Sequence, residues 1–102
     1  MTGVPASPQA AGPVVSVVLV SWNTRALLRE CLHSLYAHST VSFEVVVVDN
    51  DSSDGTGEMV QAEFPNARLI RNTSNAGFAR ACNQGMRAAR GRYFLLLNSD
   101  TY

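Results

Sequence analysis

Three polar clusters each follow directly on an apolar run: Ser21-Trp22-Asn23, then Asp49-Asn50-Asp51-Ser52-Ser53-Asp54-Gly55-Thr56, then Asn98-Ser99-Asp100. Carboxylates in such places can do two kinds of chemistry. They can accept hydrogen bonds from a base or a ribose, or hold a hard cation such as Mg²⁺ or Mn²⁺ through oxygen. Asp49 closes its apolar run and reads either as such an acceptor or as an Asx-turn or cap residue. Asp100 reads either as a ligand bridging a metal to a diphosphate or as a solvated carboxylate. Asp51 and Asp54 read as turn and cap residues. Trp22 offers a ring that could stack on a base or simply pack. Arg71 and Arg80 could neutralise phosphate, although a solvent-facing guanidinium is the plainer reading of each.

Other chemistries lose their main signal. No GxGxxG follows the first apolar run, and neither a Walker A sequence nor a G-x-S-x-G elbow is present. That argues against dinucleotide oxidoreductases, P-loop NTPases and serine hydrolases. His33 and His38 stand five apart, a poor spacing for metal ligands. Cys31 and Cys82 form no CxxC and fall on apolar helical stripes, so both read as buried free thiols in a reducing compartment. Eight basic residues balance eight acidic ones, which gives no electrostatic case for nucleic acid or an anionic membrane. Hydrophobic residues make up 46% of the chain, enough for one small globular domain. No segment approaches the ~18–20 apolar residues that span a bilayer.

The clusters need elements to position them. Residues 1–13 are small, Pro-rich and free of charged side chains, and read as a disordered lead-in without the features of a signal peptide. Ordered structure is expected from residue 14 to residue 102. Residues 14–20, V-V-S-V-V-L-V, have the β-branched, apolar character of a central parallel strand. A helix to about His38 follows, with Asn23 as its expected cap and Leu27, Leu28, Cys31, Leu32, Leu35 and Tyr36 on its inner stripe. Residues 43–48 form a second strand. A short helix capped by Asp54 carries Met59, Val60 and Phe64, and Pro65-Asn66 breaks it. Residues 67–70 form a third strand and 71–76 a polar loop. In the next helix Phe78, Ala81, Cys82, Gly85, Met86 and Ala89 share a face, Arg80, Asn83, Gln84 and Arg87 point elsewhere, and Gly91 ends it. Residues 93–97 begin a last strand buried on both faces. The β-α-β-α-β-α-β alternation predicts an α/β fold: an open, mostly parallel Rossmann-like sheet in the order 3-2-1-4 with helices on both faces. The three polar clusters would then meet at the carboxyl ends of the strands, where such sheets bind ligands.

With these pieces placed, the chain resembles the amino-terminal half of a family 2 glycosyltransferase with the GT-A fold. The match rests on V-S-V-V-L-V-S-W-N at 15–23, V-V-V-V-D-N-D-S-S-D-G-T at 45–56, N-A-G-F-A-R-A-C-N-Q-G at 75–85 and F-L-L-L-N-S-D-T at 94–101. The resemblance implies that Ser21, Trp22 and Asn23 wrap a nucleotide base and that Asp49 hydrogen-bonds it. It implies that Asn75, Gly77 and Asn83 line the nucleotide side of the pocket. The family's D-x-D motif corresponds to Asn98-Ser99-Asp100, and Asp100 would hold a divalent metal, Mg or Mn, against the donor diphosphate.

Two departures from the family pattern carry weight. Asn98 replaces the first carboxylate, which implies a weaker hold on metal. N-x-D in that place is similar to rhamnosyl- and galactofuranosyl-transferases, and so points to a dTDP- or UDP-sugar donor. The general base of this inverting family is a carboxylate from the acceptor half, and no residue here corresponds to it. The expectation is a partial domain without a catalytic residue of its own. It would bind the donor but not the glycan or lipid-linked acceptor, in the cytoplasm, with contact at the inner membrane face left open. The alternative expectation is a truncated, non-catalytic nucleotide-binding remnant.

Overall fold

A computed structural model describes residues 13–38 and 42–98, the last through its backbone alone. The lead-in at 1–12, most of the loop at 39–42, and residues 99–102, Ser99 and Asp100 among them, lie outside the described residues. Seven elements follow in order: β1 (Val15–Ser21), α1 (Arg25–His38), β2 (Phe43–Asp49), α2 (Thr56–Glu63), β3 (Arg68–Arg71), α3 (Phe78–Ala88) and β4 (Tyr93–Asn98). The strands pair in parallel in the order β3-β2-β1-β4, as the alternation predicts.

Side-chain alternation divides the core into two layers. Val17 and Leu19 of β1 and Val45 and Val47 of β2 turn to one face, where they pack with Leu28 and Leu32 of α1, Met59 and Val60 of α2, and Phe64. Val20 and Val48 turn the other way, against Ala81 and Cys82 of α3, with Ile70 beside them. The sheet is thus covered on both faces, which is why its two central strands are apolar almost throughout.

The second layer depends on a close approach. A Cβ added at Gly85 would stand 2.3 Å from Val18 Cγ1, so glycine lets α3 lie directly on β1. Gly91 serves a purpose different from the expected helix stop. The helix ends at Ala88, and a Cβ at Gly91 would meet Ser16 Oγ at 2.5 Å. The Gly91 N–H donates to that hydroxyl, which donates in turn to Glu44, whose carboxylate also takes the Arg90 N–H. The amino-terminal ends of β1, β2 and β4 are tied there. Burial alone would raise the Glu44 carboxyl. The Arg90 N–H, the Ser16 hydroxyl and the charges of Arg68 and Arg90 outweigh it and hold the group below its usual range.

Cys82 is buried and Cys31 half-buried; both are free, and burial raises both thiols. Phe78, expected on the inner stripe of α3, is 45% exposed at the helix start. β4 departs from a strand buried on both faces: Tyr93, Phe94, Leu95 and Leu96 are 62%, 48%, 46% and 41% exposed. β4 is an edge of the described sheet, and α3 lies over β1 and β2 more than over β4. Among the described residues no helix is long and apolar enough to cross a membrane.

Candidate functional site

Register places the site. Ser21, Asp49 and Arg71 sit side by side at the carboxyl ends of β1, β2 and β3, and Asn98 pairs with Val20 one step earlier. All the loops that follow these strands therefore leave the same edge of the sheet. Asp49 ends β2 rather than following it. It is 1% exposed, and its Oδ1 accepts the Ser52 N–H at 3.0 Å. One oxygen closes an Asx-turn, the second of the two sequence readings, while Oδ2 has no hydrogen-bond partner among the described residues. A buried carboxylate oxygen without a partner is costly, and a ligand donor at this edge would relieve it.

The first two loops are laced together. Asn23 adopts a left-handed backbone, φ 54°, and does not cap α1 as expected. Its Oδ1 accepts the Ser53 N–H at 2.8 Å, and its own N–H donates to Ser52 Oγ at 2.9 Å. Ser21 is buried, its hydroxyl 2.8 Å from Thr24 Oγ1 and its carbonyl taking the Asn50 N–H at 2.8 Å. The cap of α1 comes instead from across the site. Asp54 Oδ2 accepts the Arg25 N–H at 3.0 Å, while Oδ1 accepts the Thr56 N–H at 3.1 Å and the Thr56 hydroxyl. One carboxylate closes the first turns of two helices. Burial pushes the Asp54 carboxyl up, but these donors outweigh it and hold the group below its ordinary 3.8.

Trp22 stands at the loop tip, 51% exposed, with its ring accessible to a ligand. On the other side of the β2 end, Asn75 Oδ1 accepts the Gly77 N–H at 2.9 Å and shapes the turn that opens α3. Gly77 has φ 85° and ψ 164°, a backbone that only glycine adopts readily, and space is open where a Cβ would stand. Asn83 is exposed on α3, and no described hydrogen bond joins it to these loops. The structure thus brings Ser21, Trp22, Asn23 and Asp49 into one edge and sets the Asn75–Gly77 turn beside it; Asn83 stays on the helix surface. Arg71 reaches across Gly57 to Glu58 at 3.2 Å, so its guanidinium already has an anionic partner. Arg80 is exposed.

Three hydrogen-bonded amides beside the site escaped the sequence reading. Asn50 is 2% exposed and bonds to the turn at 76–77, Asn72 donates to Asn50, and Gln84 pairs with Asn72. Gln84, expected to point away from the core, turns inward to Asn72. The available signal was its place next to the buried Cys82 and Gly85, together with an amide at the end of each neighbouring strand. Asp100, the expected metal ligand, lies outside the described residues, and nothing is described of the Asn98 side chain. Among the described residues, no group of three or more His, Cys, Asp or Glu side chains could hold a metal.

The model of the family "Glycosyl transferase family 2" matches residues 16–102. A putative teichuronic acid biosynthesis glycosyltransferase, TuaG of Bacillus subtilis, is 35% identical over 91 residues, 86% of this chain and 36% of that protein. A mannosyltransferase from Pyrobaculum calidifontis, solved with GDP-Man and Mn²⁺, superposes with a TM-score of 0.77 at 30% identity, over 93% of this chain and 30% of that one. Staphylococcus aureus TarS, solved with UDP-GlcNAc, gives 0.77 at 29% identity, over 85% of this chain and 26% of that one. The chain spans about a third of the length of these proteins. With the parallel 3-2-1-4 sheet and its loops at one edge, the family match shows that this chain belongs to glycosyltransferase family 2, with part of a GT-A fold.

Proposed function

We propose that residues 14–102 form the donor-binding half of an inverting glycosyltransferase that takes a sugar from a dTDP- or UDP-sugar to a glycan or lipid-linked acceptor. The observation that carries this reading is Asp49: a buried carboxylate at the crevice edge with one oxygen held by Ser52 N–H and the other without a partner among the described residues. In this reading Oδ2 accepts a hydrogen bond from the base, Trp22 stacks on it, and Ser21 and Asn23 shape the loop around it. Asn75, Gly77 and Asn83 line the opposite side. The neighbours solved with UDP-GlcNAc and with GDP-Man support a nucleotide-sugar donor. The N-x-D at Asn98–Asp100 supports the rhamnosyltransferase-like branch.

Asp100 would hold a Mg²⁺ or Mn²⁺ ion, with Asn98 as a weaker second ligand. The pairing of Asn98 with Val20, beside the strand ends that carry Ser21 and Asp49, supports this reading. The ion would offset the charge of the departing nucleoside diphosphate. The proton of the acceptor hydroxyl needs a base, and none of the described side chains is assigned that role.

The test is thermal stabilisation of the chain by UDP, dTDP or GDP in the presence of Mn²⁺. A dose-dependent rise in melting temperature with a uracil or thymine nucleotide is expected. No rise with any of the three would overturn the reading, and a response to GDP alone would overturn the assigned branch.

A further inference from the structure

Three side-chain amides form a relay behind the turn that opens α3. Asn50 Oδ1 accepts from Asn72 Nδ2 at 2.8 Å and from the Ala76 N–H at 3.4 Å, while Asn50 Nδ2 donates to the Gly77 carbonyl at 3.3 Å. Asn72 and Gln84 face each other in a closed pair. Asn72 Nδ2 donates to Gln84 Oε1 at 2.8 Å and Gln84 Nε2 donates to Asn72 Oδ1 at 3.0 Å. Asn72 therefore uses both amide protons, one on each neighbour. Each orientation depends on the others: turning Asn50 over would set donors against the Asn72 amide and the Ala76 N–H, and an oxygen against the Gly77 carbonyl.

Gly77 occupies a backbone region that only glycine adopts readily, and its carbonyl also accepts the Ala81 N–H that starts α3. The relay holds this turn at two points, the Ala76 N–H and the Gly77 carbonyl.

We propose that Asn72 and Gln84 are positioning residues for the nucleotide loop, acting through Asn50 to hold the Asn75–Gly77 turn against the donor. This rests on the donor-site reading above. Neither residue touches the nucleotide; they set where the turn's backbone and the Asn75 side chain stand before binding.

The test is Gln84→Glu in the full chain. The ionised carboxylate of this variant has only acceptors, so it cannot donate to Asn72 and repels its oxygen. Once protonated, the same side chain again has one donor and one acceptor, and closes the pair. Two readouts are taken across pH 7.5 to about 4.5, where such a carboxyl titrates. One is amide hydrogen exchange at Ala76 and Gly77 without nucleotide, relative to wild type. The other is the Kd for UDP, dTDP and GDP with Mn²⁺. At pH 7.5 exchange at the two amides is expected to be about tenfold faster than wild type, with β2 amides unchanged. The Kd of the best-bound nucleotide is expected to rise about tenfold. Both ratios should fall toward one as pH drops, a rescue that a general loss of stability would not produce. Asn72→Ala should loosen the same amides without the pH rescue, and it stands in if Gln84→Glu does not fold. Unchanged exchange in the variant that folds overturns the relay. Faster exchange with unchanged Kd overturns its positioning role. Absence of nucleotide binding by the wild type overturns the donor-site reading itself, so the two failures are read separately.

Discussion

One carboxylate, Asp54, accepts backbone donors at the starts of two helices, and that predicts a graded ladder of variants. Its Oδ2 takes the Arg25 N–H of α1 and its Oδ1 takes the Thr56 N–H and hydroxyl of α2. Losing one helix cap costs about 1 kcal/mol. Asp54→Ala removes both caps and should cost about 2 kcal/mol. Asp54→Asn keeps one acceptor oxygen, sufficient for α2, but turns an N–H₂ toward the Arg25 N–H; it should cost about 1 kcal/mol. The assay is urea denaturation followed by circular dichroism. With a slope of about 1 kcal/mol/M for a chain of this size, the midpoint should fall by about 2 M and about 1 M respectively. The ladder carries information because both variants remove the same charge and differ in how many donors they leave unmet. Equal losses in the two variants, or losses below about 0.5 kcal/mol in both, would refute the bridging role.

Further consequences can be checked with the same preparations. Asp54 and Glu44 are both held below their ordinary range, so each contributes stability that is present above about pH 4 and lost as pH falls through its folded-state value. Asp54→Asn should flatten that acid limb in a series of urea melts between pH 6 and about 3; an unchanged limb would contradict the assignment. Gly85→Ala should destabilise by about 1–2 kcal/mol, because crowding Val18 outweighs the roughly 1 kcal/mol gained in helix propensity; a higher melting temperature would contradict the close approach. The half-exposed Tyr93, Phe94, Leu95 and Leu96 on an edge strand should make the isolated chain self-associate as concentration rises. Phe94→Lys should reduce the growth in particle size seen by dynamic light scattering, and a monodisperse wild-type monomer would refute the edge argument.

The sheet was readable because its strands are extreme. V-V-S-V-V-L-V and F-E-V-V-V-V-D have β-branched, apolar character that suits few other places than a covered parallel sheet, and the helical spacing between them fixes the crossovers. Asp49 was readable because it ends such a run. The capping pattern was harder. Asn23 looks like the cap of α1 by sequence distance, but the true acceptor, Asp54, is 29 residues from the N–H it serves at Arg25. Local rules see caps only within a few residues, and a cap supplied across a sheet edge is a tertiary fact. The same limit hid the amide relay. Asn50, Asn72 and Gln84 are 22 and 12 residues apart in steps, and each taken singly reads as a loop or surface residue. Gln84 turns inward because Gly85 brings α3 so near the sheet that its neighbours on the helix reach the strand ends. β4 misled in the other direction: its apolar run reads as buried on both faces, but in the described fold it has a strand on one side only.

In the proposed reading, nucleotide binding at this edge depends first on Asp49 Oδ2, which has no hydrogen-bond partner among the described residues. Asp49→Asn keeps an acceptor for the Ser52 N–H and puts a donor in place of Oδ2, so the turn should persist while the proposed contact to the base is lost. Isothermal titration of UDP and dTDP, each with Mn²⁺, into wild type and Asp49→Asn measures this directly. A hydrogen bond to a charged acceptor is worth about 1.5–3 kcal/mol, so the variant should bind about 10- to 100-fold more weakly at an unchanged melting temperature. Equal affinity in the two proteins would contradict the central claim.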